Sequence, residues 1–232
     1  MAWRELFPGR TGGLDDIHQR LRDMLDSNRH TLSLAINGLL GTTDPTTLHD
    51  RVRRSDDRVD HLARQVRREL VVHASVRGAR TNLPAMLATM SVVKDIQRIG
   101  DHATELARLA RLHGPFTPGQ PRHAQLAAHR NRLDTHLDNT RDTLRTHDPT
   151  MAAELITQTI NLTDEIDLAI DLLLITEYAD SDATATALIY HHLSRTAAHL
   201  TNVLTAVALP LDQLDHHDGQ HGQRAGDADT VA

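Results

Sequence analysis

Apolar residues recur every three to four positions in six stretches of the chain, each about thirty residues long. This spacing lines the apolar side chains along one face of a helix. The first stripe, for example, contains Leu14, Ile17, Leu21 and Leu25. The pattern therefore predicts six amphipathic helices, at about 14–40, 45–76, 82–112, 122–145, 149–178 and 183–209.

Turn-forming residues separate these stretches and repeat along the chain. Asp44-Pro45-Thr46 opens the second predicted helix and Asp148-Pro149-Thr150 opens the fifth, an arrangement that favours helix starts. The densest Pro and Gly stretch lies midway between them. We therefore predict an all-α fold of two tandem three-helix bundles. The predicted divisions are an N-terminal segment 1–13, a first bundle 14–113, a linker 114–121, a second bundle 122–210 and a disordered tail 211–232.

Composition excludes several classes of protein. The chain has no cysteine, so it can hold neither a disulfide scaffold nor a thiolate metal site. Its net charge is −6 with both signs interspersed, which argues against general nucleic-acid binding. We find neither a membrane-spanning run nor a secretory signal. A cytoplasmic location is expected. The 17 histidines are scattered, and we expect them to be solvated on helix faces.

Acidic side chains fall one helical turn apart on two neighbouring predicted helices. Asp56 and Asp60 are four residues apart on the second helix, and Gln97 and Asp101 have the same spacing on the third. If the two helices pack side by side, these side chains converge along an outer seam. Clustered oxygen ligands suit hard or borderline cations. Without a cation, the neighbouring carboxylates would repel one another.

Residues 97–103 resemble the signature helix of the PhoU family, regulators of bacterial phosphate uptake, with Gln97 in place of a glutamate. The resemblance implies a metal site formed by Asp56, Asp60, Gln97 and Asp101, with a divalent or ferric cation as its expected occupant. It also implies a non-enzymatic regulator that binds a phosphate transporter or its sensor kinase and represses uptake or the phosphate-starvation response. The signature residues are Arg98, Ile99, Gly100, Asp101, His102 and Ala103.

The second repeat has lost most of the corresponding acidic residues. Thr163, Ser194 and Ala198 stand where the family pattern has carboxylates, and Asp167 is the one carboxylate kept. We therefore expect a bound cation in the first repeat rather than in the second.

Other interpretations of the same residues remain open. The acidic seam can instead be a solvated edge whose charges pair with Arg64, Arg67 and Arg98. The helices can form a scaffold that regulates an unrelated transporter, or the seam can serve a metal-dependent hydrolase. Long apolar stripes also favour a homodimer. The apolar segment Trp3 to Phe7 is expected to dock on its own domain, with a partner or a membrane surface as alternatives.

Overall fold

The computed structural model describes residues 12–43, 45–78, 82–175 and 181–208. Within those ranges every element of regular structure is helical, apart from turns, so the predicted all-α fold is confirmed. We number the helices α1 (Gly12–Leu39), α2 (Pro45–Arg77), α3 (Leu83–His113), α4 (Pro121–Thr146), α5 (Pro149–Ile175) and α6 (Ser181–Ala208).

The predicted helix ends agree with the observed ones to within two residues wherever both can be compared. Residues 1–11, the predicted end of the fifth helix near 178 and the predicted tail 211–232 lie outside the described residues. None of the helices in the described ranges combines the length and apolar character that crossing a bilayer requires.

The six helices form two three-helix bundles, α1–α3 and α4–α6, that share one continuous core. Helix α1 packs against α2 and α3 within its own bundle and against α4 in the other, while α3 packs against α6. The buried residues are mainly Leu, Ile, Val and Ala, as a chain with 2% aromatic residues requires. Burying these aliphatic side chains stabilises the fold and joins the bundles.

The segment between the two bundles packs closely on the first bundle. The side chain of Phe116 is buried, and its backbone N–H donates to the carbonyl of Leu39 at 2.8 Å. Gly114 ends α3 with a positive φ of 81°, which glycine adopts without steric cost. The predicted linker 114–121 is thus anchored to the first bundle at Phe116, while residues 117–121 are exposed; the proposed domain boundaries stay predictions.

Charged pairs show how the bundles are oriented. Arg29 of α1 contacts Asp134 and Asp138 of α4, and Arg141 of α4 contacts Asp26 of α1. Arg141 follows Asp134 and Asp138 in α4, whereas its partner Asp26 precedes Arg29 in α1. The two helices therefore run antiparallel. The same relation holds between α3 and α6, because His113 lies near the start of α6 at Asp182. The α2–α3 and α5–α6 turns therefore lie at opposite ends of the molecule.

Gly100 allows α1 to approach α3 closely. A Cβ atom at this position would lie 2.9 Å from Oδ1 of Asn28. Asn28 is buried, and its Nδ2 donates to the carbonyl of Ile96. The glycine of the signature helix thus has a packing role, since it leaves room for a buried amide from the neighbouring helix.

We expect Gly100→Ala to lower the free energy of unfolding. The added methyl group would rotate Asn28 away from the Ile96 carbonyl, and the loss of a buried hydrogen bond costs about 1–3 kcal/mol. The better helix propensity of alanine offsets about 1 kcal/mol, so urea denaturation should show a net loss of up to about 2 kcal/mol. In an Asn28→Ala background, Gly100→Ala should no longer destabilise. An equal loss in both backgrounds would contradict this account.

Candidate functional site

The acidic seam, defined here as Asp56, Asp60, Gln97 and Asp101, runs between α2 and α3. Nε2 of Gln97 donates to Oδ1 of Asp60 at 2.8 Å, which fixes the two helices side by side at this level. Burial raises the pKa of Asp56 above its ordinary value, and the charges of Asp60 and Asp101 raise the pKa further. The structure thus brings all four predicted residues to one seam.

Gln97 joins an arginine to a carboxylate across this seam. Its Oε1 accepts a hydrogen bond from Arg67, while its amide nitrogen donates to Asp60. The glutamine carbonyl that could bind a cation is therefore already engaged with a guanidinium. An amide can do this where a glutamate cannot, because only the amide both donates and accepts.

Two of the three seam carboxylates have arginine neighbours. Arg64 lies 3.7 Å from Asp60, and Arg98 lies 3.2 Å from Asp101. Both pairs are largely exposed, so each contributes little to stability. These are the arginines named in the alternative interpretation of a solvated edge, and all of them contact seam residues.

The seam as arranged does not present a multi-carboxylate metal site. Throughout the described part of the chain, no three His, Asp or Glu side chains lie in positions that could hold a metal ion together. A cation at Gln97 would have to displace Arg67 and compensate the lost hydrogen bond. Metal binding by Asp56, Asp60, Gln97 and Asp101 stays a prediction.

A cleft of about 200 Å³ adjoins the seam beside Asp56. Its charged side chains carry both signs, and Arg108 pairs with Glu105 at 2.7 Å. The cleft therefore has no strongly positive or negative character that would favour one class of ionic ligand. It is lined by Val52, Arg53, Asp56, Thr104, Glu105, Ala107, Arg108 and Arg111.

A second polar group, the histidine cluster of Asp95, His102, His192 and His199, lies between α3 and α6. Asp95 is only 1% exposed, and its Oδ1 lies 2.9 Å from Nδ1 of His199. Nδ1 of His102 lies 3.1 Å from Nδ1 of His192, and the ring of His102 stacks on that of His199. A buried carboxylate and three imidazoles thus join the two bundles.

Burial, together with the neighbouring imidazoles, lowers the pKa of His102 to about 3, so this ring is neutral at physiological pH.

The expectation that the histidines are solvated is wrong for this cluster and for the buried His129 and His136. Sequence reasoning missed the cluster although a signal was present. Asp95 and His102 are seven residues apart, as are His192 and His199, which places each pair on one helix face.

The corresponding positions of the second repeat have a different character. Thr163 and Ser194 are buried rather than exposed, and the hydroxyl of Thr163 donates to the carbonyl of Thr159 at 3.0 Å. Asp167 is half-buried on α5. Thr163 and Ser194 thus pack inside the second bundle, so the two repeats share a fold but differ in surface chemistry.

Comparison with known proteins agrees with this fold. The PhoU domain family matches residues 21–110. The crystal structure of PhoU from Pseudomonas aeruginosa is 22% identical with a TM-score of 0.73, and the alignment covers 84% of this chain and 95% of that chain. The phosphate transport system regulatory protein PhoU from Streptococcus pneumoniae is 17% identical with a TM-score of 0.69, over 86% and 95% of the two chains. No curated protein matches the chain.

The fold and the seam define an all-helical protein of two three-helix repeats whose first repeat carries a charged α2–α3 edge. At these low identities the solved structures show a shared fold, whereas the domain match falls on the first repeat and includes the whole signature helix segment 97–103. Residues 21–110 thus match the PhoU domain, and the chain shares its overall fold with the two PhoU structures.

Proposed function

We propose that this protein regulates phosphate transport by binding a component of the transport or sensing machinery, rather than by catalysing a reaction. The observation that carries the proposal is the PhoU-domain match over residues 21–110. A solved relative of the same fold is described as a phosphate transport system regulatory protein. On this proposal the protein works in the cytoplasm as a homodimer, and it reaches the membrane only through its partner.

The partner, a phosphate transporter component or a sensor kinase, would bind at the α2–α3 edge and be held in its repressed state. Asp101 is 56% exposed there and pairs with Arg98 at the surface. Exposed charges of both signs add little to the stability of the free protein. At an interface they set partner choice and association rate, so this edge can be specialised for recognition without weakening the fold.

Co-purification from cells grown in high and in low phosphate tests this function. We expect a phosphate-transport component or its sensor kinase to be captured at high phosphate, and Asp101→Ala to reduce that capture. The matched control is Asp171→Ala, an exposed aspartate on α5 of the second bundle, which should capture the partner as the unaltered chain does. Loss of the partner in both variants, or in neither, would contradict binding at this edge.

Capture of an unrelated transporter under both conditions would instead support a helical scaffold with a different client.

A metal-dependent hydrolase is the weaker alternative. Two-metal hydrolysis needs ions about 4 Å apart that share carboxylate ligands. In the seam, Gln97 is bound to Arg67 and Asp60 pairs with Arg64.

The metal prediction can be tested with Gln97→Glu. This change supplies a fourth carboxylate and removes the amide that donates to Asp60. We expect the unaltered chain to bind Mn²⁺ weakly and Gln97→Glu to bind it at least about tenfold more tightly, which corresponds to about 1.4 kcal/mol. Calorimetric titration would measure both affinities, with Asp171→Ala as the control. If neither protein binds Mn²⁺, the seam is not a cation site.

A further inference from the structure

Six large apolar side chains lie exposed where α2 ends and α3 begins. We call this surface the apolar tip. Val76 is 80% exposed and Leu83 is 61% exposed, although both belong to well-formed helices. An apolar surface of this kind marks an interaction site in a folded protein. The apolar tip comprises Val71, Val72, Val76, Leu83, Leu87 and Met90.

These side chains lie at the same end of α2 and α3, because the two helices run antiparallel. Asp60 lies level with Gln97, where their side chains are hydrogen-bonded. In antiparallel helices, each step towards the end of α2 is matched by one step towards the start of α3. Val76 is therefore close to the level of Leu83, and Val72 is close to the level of Leu87. The exposed residues of the two helices therefore lie within the same few turns, at one end of the α2–α3 pair.

The first described residue of the chain lies at this same end of the molecule. Arg20 of α1 contacts Glu69 of α2 at 2.7 Å, and α1 and α2 are consecutive helices that run antiparallel. Eight residues before Arg20 the helix begins at Gly12, about 12 Å away at 1.5 Å per residue. That distance brings the start of α1 level with the end of α2 near Arg77.

We infer that the segment 1–11 docks on the apolar tip of its own chain. The segment contains Trp3, Leu6 and Phe7, and its attachment point is beside the surface. Eleven residues reach at most about 36–40 Å when extended, which is ample to cross the end of a two-helix hairpin. Because the segment is tethered there, its effective concentration at the tip exceeds that of a free partner.

The chemistry of the segment matches the surface that it covers. Aromatic and aliphatic side chains bury large apolar areas, and the tip offers only Val, Leu and Met as large exposed apolar groups. Arg4 and Glu5 can remain in solvent when their neighbours are buried. Docking would remove from water a surface that otherwise favours aggregation. This inference stands independently of the proposed regulatory function.

Trp3 is the only tryptophan of the chain, so its fluorescence reports on the segment alone. We expect its emission to be blue-shifted and shielded from acrylamide, at all protein concentrations and without membranes. In Leu83→Asp/Leu87→Asp the emission should move to the red and quenching should increase several-fold. Both leucines are exposed, so the helices should keep their circular dichroism signal.

A matched control uses Leu168→Asp/Leu172→Asp on α5. These leucines are also exposed and one helical turn apart, and they lie towards the opposite end of the molecule. Trp3 emission should not change in this variant. A solvated Trp3 in the unaltered chain, or equal emission changes in both double variants, would overturn the inference. Shielding of Trp3 that disappears on dilution would indicate docking on a second copy, and it would overturn the inference. Shielding that appears only with phosphatidylcholine vesicles would indicate docking on a membrane and would overturn it too.

Discussion

His199→Leu is expected to lower the free energy of unfolding by about 3 kcal/mol or more, because it removes the main partner of a buried carboxylate. Asp95 is almost fully buried, and His199 lies 2.9 Å from its Oδ1. The other contact to the same oxygen comes from Asn202 at the longer distance of 3.4 Å. Without the imidazole, the carboxylate remains in the interface between α3 and α6 with poor compensation.

Urea denaturation would measure this loss, and a double variant provides the decisive control. Asp95→Leu/His199→Leu removes both polar partners, and such replacement by packed apolar residues is often neutral. The double variant should therefore recover most of the stability. His191→Leu, which changes an exposed histidine on the same helix, should have little effect. A double variant as unstable as His199→Leu would show that packing, rather than the polar contact between Asp95 and His199, is responsible.

Stability is also expected to fall as the pH drops below about 6.5, because α4 buries two neutral histidines. Burial lowers the pKa of His129 and His136 below the ordinary value of 6.5. Nδ1 of His136 lies 2.8 Å from the hydroxyl of Thr159. Below pH 6.5 the unfolded chain binds protons that the folded chain does not bind. Folding therefore becomes less favourable as the pH falls towards the lowered pKa values, and the loss stops below them.

Each such histidine contributes at most about 1.4 kcal/mol per pH unit. Denaturation at pH 7.5, 6.5 and 5.5 should show the slope, and His129→Leu/His136→Leu should reduce it. A residual slope is expected from His102 and His192, whose pKa values are also lowered by burial. His61→Gln changes an exposed side chain and should leave the slope unchanged. An undiminished slope in the double variant would refute this origin.

The helices could be predicted from sequence because each needs only its own apolar stripe and its own turn residues. The pairing of α2 with α3 was equally accessible, since consecutive helices joined by a short turn pack antiparallel. The convergence of Asp56 and Asp60 with Asp101 follows from that pairing and from the four-residue spacing.

The contacts between non-consecutive helices could not be predicted in the same way. The meeting of Asp95 with His199 depends on how α3 and α6 are aligned, and no local pattern fixes that alignment. The orientation of Gln97 was also inaccessible, because it depends on Arg67 from the neighbouring helix. The packing role of Gly100 required the position of Asn28, which lies on α1.

Helix α3 carries the seam on one side and the buried Asp95–His199 contact on another. A partner that binds Asp101 therefore cannot rotate α3 about its axis without straining the Asp95–His199 contact between α3 and α6. Any rotation of α3 in the first repeat would therefore also act on α6 in the second repeat. The Asp95–His199 contact thus couples the repeat that has kept the charged edge to the repeat that has lost it.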